Sequence, residues 1–248
     1  MLGLLVITMS AGAHAQPQCC GDCTGDGTVT VDDIVVAVNN SMNGCQLAPT
    51  PTAAPMVTES RFPASGQKTS YGAGSDGDVR AGAPFAFADN GDGTITDTNT
   101  GLMWEKKDDS GGVHDKDNLY TWGLAAAPYT MDGTMVSEFL ATLNYPPCFA
   151  GYCDWRLPNV KELLSLVDYE VPLPGPTVDA AFHDAETCTG CTNVSEVPCS
   201  CTASNRYWSS ATYRFDPANA WTVTFSYGNV IYIYKSGLSA VRAVRGGL

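Results

Sequence analysis

Residues 220–234 read AWTVTFSYGNVIYIY. Trp221, Val223 and Phe225 alternate with Thr222 and Thr224, which is the period of a strand with two unlike faces. Gly228-Asn229 is a hairpin signal, and 230–234 alternates again, so this stretch predicts two antiparallel strands. Residues 240–245 read as a further strand of the same sheet. Upstream the period changes. Asn159 and Glu162 form an N-x-x-E capping pattern after Pro158, and Val160, Leu163, Leu164 and Val167 recur at helical spacing. Met135, Val136, Phe139, Leu140 and Leu143 mark a second helix. Residues 94–97 and 101–106 read as short strands around Thr98-Asn99-Thr100. Strands, two helices, then an antiparallel C-terminal sheet is an α+β pattern.

Working outward, the globular composition begins near residue 58, and 58–248 reads as the main domain. Residues 46–57 are a Pro/Thr/Ala-rich linker with no apolar period. Residues 16–45 contain a different kind of unit. Asp22, Thr24, Asp26, Gly27, Thr28, Thr30 and Asp33 fall at positions 1, 3, 5, 6, 7, 9 and 12 of an EF-hand-type loop. Alternate side chains of such a loop converge on one point, Gly27 permits the sharp turn, and Asp33 returns a carboxylate from the following helix. Asp22, Thr24, Asp26, Thr28, Thr30 and Asp33 are the expected calcium ligands. Residues 1–15 carry a short apolar run, Leu2 to Met9, followed by Ala13-His14-Ala15, and predict an export signal. No later segment has the ~18 consecutive apolar residues of a membrane span.

The 248 residues carry 26 acidic and 13 basic side chains, for a formal charge of −13 and a pI near 4.4. That excess argues against nucleic acid as a partner, because phosphate neutralisation needs surplus cations. Ten cysteines suit an oxidising compartment, so a secreted or periplasmic location is expected. Cys19, Cys20, Cys23 and Cys45 bracket the calcium loop, with three pairings open to them. Cys148 and Cys153 are expected to close a small loop. Cys188, Cys191, Cys199 and Cys201 (CxxC-x7-CxC) have zinc spacing, but in an exported chain two disulfides pinning a long loop are expected.

Several segments share a family signature: PASGQKTSYGAGSDGDVRAG (63–82), FADNGDGTITDTNTGLMWEK (87–106), DWRLPNVKELLSLVD (154–168), YWSSATY (207–213), AWTVTFSYGNV (220–230) and VRAVR (241–245). They run in order over roughly 60–248 and resemble the Lcl C-terminal domain family, named after the C-terminal domain of a bacterial collagen-like adhesin. The resemblance implies an exported bacterial protein with a C-type-lectin-like fold. It also implies adhesin-like recognition of a glycan or a cell-surface protein. For the adhesin that gives the family its name, the ligands are sulfated glycosaminoglycans. Residues 19–45 resemble one half of a dockerin repeat, which raises a second expectation, a scaffold component docking through the calcium loop. A third is an enzyme. The same broad fold resembles formylglycine-generating oxidases, and Val244-Arg245-Gly246-Gly247 echoes their V-R-G-G segment. The catalytic cysteines of those enzymes follow that segment, and none follows Cys201 here, so a non-enzymatic chain is expected.

After residue 205 five basic residues, Arg206, Arg214, Lys235, Arg242 and Arg245, face one acid, Asp216, among many tyrosines. Aromatic planes beside cations stack on sugar rings and pair with anionic groups. Arg214, Tyr232, Tyr234 and Lys235 are the candidate ligand-binding residues, with Tyr232 and Tyr234 on the face opposite Ile231 and Ile233. Arg242 and Arg245 are expected on opposite faces, one of them interior and paired. Arg156 is expected to bond carbonyls or a carboxylate between buried Trp155 and Leu157. Asp89 to Thr94 reads as a Gly-rich turn, and Asp108 to Asp117 as a solvated acidic loop around His114. Three histidines, His14, His114 and His183, give poor material for a hydrolase triad.

Overall fold

The computed structural model describes residues 62–183 and 190–246. The chain divides into two compact units, Met1–Thr58 and Glu59–Leu248, and every described residue belongs to the second. The export signal, the calcium loop with Asp22, Thr24, Asp26, Thr28, Thr30 and Asp33, the linker, and Cys19, Cys20, Cys23, Cys45 and Cys188 lie outside the described residues.

The elements are α1 (Asp76–Val79), β1 (Phe87–Asp89), β2 (Thr94–Asp97), β3 (Met103–Glu105) and β4 (Tyr120–Thr121). A π-helical turn, Met135–Leu140, runs directly into α2 (Ala141–Leu143), followed by α3 (Val160–Leu164). Then come β5 (Arg206–Thr212), β6 (Asn219–Thr224), β7 (Asn229–Tyr234), β8 (Leu238–Ser239) and β9 (Val244–Arg245). The strands form three sheets with antiparallel ladders, ordered β1-β2-β3-β9, β4-β8 and β5-β6-β7. The class is α+β, as the sequence pattern predicts.

The local expectations are met for physical reasons that the side chains display. Asn159 Oδ1 accepts from the N–H groups of Lys161 at 2.8 Å and Glu162 at 3.0 Å, and Glu162 Oε2 accepts from Asn159 N–H at 2.7 Å. This is a closed capping box. The β6–β7 hairpin pairs Thr224 with Asn229, and Gly228 sits in the turn at φ +69°. A Cβ there would lie 2.8 Å from Val167 Cγ1, so glycine serves both the turn and the close approach.

The end of the chain departs from the expected meander. Residues 240–243 form no strand; β8 pairs with β4, and β9 crosses to pair with β3. Val241, Arg242 and Ala243 are all buried, so this segment runs between the sheets rather than along a half-exposed one. Its neighbours divide between two cores. Val244, Tyr207 and Val223 join Ile95, Trp104, Leu163 and Phe182 in one cluster. Ala243, Trp208 and Ala220 join Trp122, Phe139, Trp155 and Leu157 in the other. Consecutive residues point to opposite sides of a strand, so Tyr207-Trp208 supplies one large ring to each core. The indoles tie the second core together. Trp122 Nε1 donates to Ser209 O at 2.9 Å, and Trp208 Nε1 donates to Tyr120 O at 2.8 Å.

Candidate functional site

The three-stranded sheet carries the strongest feature. Core residues cover one end of a face, at Tyr207 and Val223. Toward the other end that face bears aromatics. Trp221 on β6 stands opposite Tyr232 on β7, and Asn219 opposite Tyr234. Tyr213 joins from the end of β5, its N–H donating to Asn219 O at 2.9 Å beyond a register shift between Trp208 and Thr212. The Tyr213 and Tyr232 rings stack with centroids 4.1 Å apart and 9° between planes. Trp221 meets both edge to face, at 5.1 Å from Tyr213 and 5.7 Å from Tyr232. Phe215 lies 5.8 Å from Tyr213.

The β5–β6 turn that carries Phe215 is fixed by Asp216. Its carboxylate accepts from Ala218 N–H at 3.2 Å and Asn219 Nδ2 at 2.8 Å. The turn's tip, Arg214 and Phe215, is exposed. Phe215 is 89% exposed, Tyr234 61% and Tyr232 49%. Large rings left in water on an acidic protein form the kind of patch that marks a binding surface.

Lys235 is a correction to the candidate set. It follows Tyr234 and therefore shares the inward face of Ile231 and Ile233. Its side chain is sealed from solvent. Nζ donates to Tyr129 O and Thr212 Oγ1, each at 2.9 Å, and sits 3.8 Å from the centre of the Trp122 ring. Burial holds its pKa below the ordinary lysine value. It braces the sheet and has no access to a ligand. Arg214, Tyr232 and Tyr234 remain on the surface, and Tyr213, Phe215 and Trp221 join them. The strand alternation of Trp221 pointed to this group, but Tyr213 and Phe215 are placed by a turn whose geometry no short-range pattern announces.

The interior holds a second concentration of charge. Glu105 is buried, with Lys107 Nζ and His114 Nδ1 at 2.9 and 2.8 Å from Oε1 and the Ala243 N–H donating to Oε2 at 2.9 Å. Burial pushes the Glu105 carboxyl up, but the Lys107 charge, His114 and the Ala243 N–H together outweigh it, and the pKa lies below its ordinary value. Burial pushes Lys107 down. Arg242 is sealed, donating to Glu105 O at 2.7 Å and Thr202 Oγ1 at 2.6 Å, whereas Arg245 pairs with Asp154 at 2.7 Å. The expected division of these two arginines holds. Lys106 is also buried, bonded to Asp89 and to Glu196 O. Every one of these groups is bound to protein, so the network is structural.

The other motifs resolve similarly. Arg156 makes a two-pronged contact with Glu162 at 2.9 and 2.8 Å and donates to Gly246 O at 2.9 Å, while Trp155 and Leu157 are buried. Asp89 to Thr94 is a turn closed by Asp89 and Asp92 accepting from Gly91 and Thr94 N–H. The acidic loop is less solvated than expected. Asp108 and Asp115 are buried because their carboxylates cap backbone N–H groups. Asp109, Asp115 and Asp117 gather their oxygens within 4.8 Å, and Lys116 Nζ lies 3.0 Å from Asp109 and 2.6 Å from Asp117. A lysine thus supplies the counter-charge. Cys148 pairs with Cys153 and Cys191 with Cys201, and Cys199 is also disulfide-bonded. An apolar groove of about 860 Å³ runs between Phe62, Leu164, Val167 and Tyr169. Its acidic groups are engaged, Asp76 by Ser65 and Glu162 by Arg156.

No helix among the described residues is long and apolar enough to cross a membrane. Comparison with family models matches residues 93–245 to the Lcl C-terminal domain. The match runs from the β1–β2 turn to the end of β9 and includes every residue of the aromatic cluster. Among curated proteins no relative matches.

Proposed function

The chain belongs to the Lcl C-terminal domain family, and we propose that it is an exported, adhesin-like surface-binding protein that recognises glycans without chemical turnover. The observation that carries this reading is the aromatic cluster at one end of the β5-β6-β7 sheet, where exposed Phe215, Tyr232 and Tyr234 are backed by half-buried Tyr213 and Trp221. Pyranose rings expose C–H groups that pack on aromatic faces, while tyrosine hydroxyls exchange hydrogen bonds with sugar hydroxyls. The Tyr213–Tyr232 stack holds two of the rings before a ligand arrives, which lowers the entropy lost on binding.

The non-enzymatic part rests on chemistry already committed elsewhere. The described cysteines, Cys148, Cys153, Cys191, Cys199 and Cys201, are all in disulfides, so none offers a thiol for oxidase chemistry. His114 Nδ1 is held by Glu105, and His183 Nδ1 accepts from Thr202 N–H at 3.3 Å. The loop around Asp22, Asp26 and Asp33 adds a calcium-binding appendage, supported by its ligand spacing.

The test is a glycan array probed with the full chain in calcium. Retention on a subset of glycans, lost in Tyr232→Ala with the fold intact by circular dichroism, is the expected result. A blank array, or retention unchanged by that substitution, overturns the proposal.

A further inference from the structure

We infer that the glycan taken by the aromatic cluster is a neutral polysaccharide, not a sulfated or uronic-acid chain. This rests on the reading of the cluster as a glycan surface and narrows it. The sequence alone points the other way, through five basic residues after position 205. The structure removes four of them from the surface in question. Lys235 is sealed beneath Trp122, and Arg242 is sealed against Glu105 O and Thr202. Arg245 lies on β9, in another sheet, in a two-pronged pair with Asp154. Arg206 is half-buried at the far end of β5 from the Tyr213 turn.

Among the described residues Arg214 is the one exposed cation at the cluster, and Asp216, exposed on the same turn, cancels its formal charge. Polyanion recognition draws on several cations that pair with successive sulfates or carboxylates. One arginine offset by one aspartate cannot supply that, and the chain's charge of −13 repels a polyanion at longer range.

What the surface does offer suits an uncharged sugar. Exposed Phe215, Tyr232 and Tyr234, backed by half-buried Tyr213 and Trp221, provide apolar contact, and three of the five rings carry hydroxyls. In gluco-configured pyranoses the ring hydroxyls are equatorial and the C–H bonds axial, so both faces of each sugar are apolar and its edges polar. Stacking therefore takes the faces while the tyrosine hydroxyls reach the edges, and neither interaction depends on ionic strength.

The experiment is calorimetry of the full chain with cellohexaose, chitohexaose and heparin, at low and at physiological salt. The variants are Phe215→Ala with Tyr234→Ala, whose rings are largely exposed, and Arg214→Gln. The expected result is binding to a neutral oligosaccharide that salt and Arg214→Gln leave within about twofold, and that the double aromatic variant weakens by about tenfold or more. Binding to heparin alone, abolished by salt or by Arg214→Gln, overturns the neutral class and leaves the glycan surface standing. No binding to either class, or binding that the aromatic variant does not move, overturns both readings.

Discussion

Lys107 holds its ammonium 2.9 Å from Glu105 Oε1 with both side chains closed off from solvent. Glu105 lies on β3, at the centre of a network that also engages His114, Ala243 and, through its carbonyl, Arg242. The loop 106–117, the C-terminal segment 240–243 and β3 thus meet at one carboxylate. A buried pair of this kind gains little over an apolar pair, but losing one partner strands the other charge.

Glu105→Gln keeps the shape and removes the charge that compensates Lys107. It is expected to destabilise the domain by about 3–5 kcal/mol. Adding Lys107→Met should recover part of that loss, so the double variant destabilises by less than the sum of the single ones. Urea unfolding of the four proteins measures this directly. Additive losses would remove Glu105 and Lys107 as a coupled pair.

Glu162 does two tasks at the start of α3, closing the capping box and binding Arg156. Burial raises its pKa, and the Arg156 and Asn159 hydrogen bonds more than offset this, so the folded value lies below the ordinary one. The stability this supplies is full above the ordinary carboxylate pKa and is lost as pH falls through the folded value. Glu162→Gln should cost about 2 kcal/mol at neutral pH, with partial exposure of the pair limiting the figure. The gap between wild type and variant in urea midpoint should narrow in acid. A gap independent of pH would show that charge is not the cause.

Strand alternation and capping chemistry were the legible parts of this chain. They place Tyr232 and Tyr234 outward and set the start of α3. The same alternation assigns Lys235 to the inward face with Ile231 and Ile233, and only the general expectation that lysines stay wet argues otherwise. The burial of Glu105 and Lys106 was not legible, because Asp89, Glu196 and Ala243, which hold them, are distant in sequence, and Lys107 is buried through Glu105. Nor was the crossing of β9 to β3, where two paired residues suffice because the preceding segment, 240–243, is already buried.

The proposed calcium loop, Asp22 to Asp33, predicts a stoichiometry. Full-chain protein stripped with chelator should take up one calcium ion in calorimetry. Asp26→Ala and Asp33→Ala should each weaken that uptake by about tenfold or more, since each removes a charged oxygen donor. The aromatic cluster proposed to bind glycan lies in the other compact unit, so chelator is expected to leave sugar binding in place. Uptake unchanged by both substitutions would move the calcium site away from this loop.

Lys235 separates the structural role of a cation from a binding role. Methionine at this position keeps the contact with Trp122 but loses the bonds to Tyr129 O and Thr212 Oγ1. Both acceptors, on half-buried Tyr129 and exposed Thr212, would then lose a charged donor at the β5 and β7 ends that carry Tyr213 and Tyr234. Lys235→Met should therefore lower stability by about 1–3 kcal/mol. Glycan affinity, measured well below the melting transition, should change by less than about twofold, because the removed charge never faced the ligand. Loss of affinity with stability unchanged would mean that Lys235 reaches the bound sugar, and the inward placement of this side chain would have to be given up.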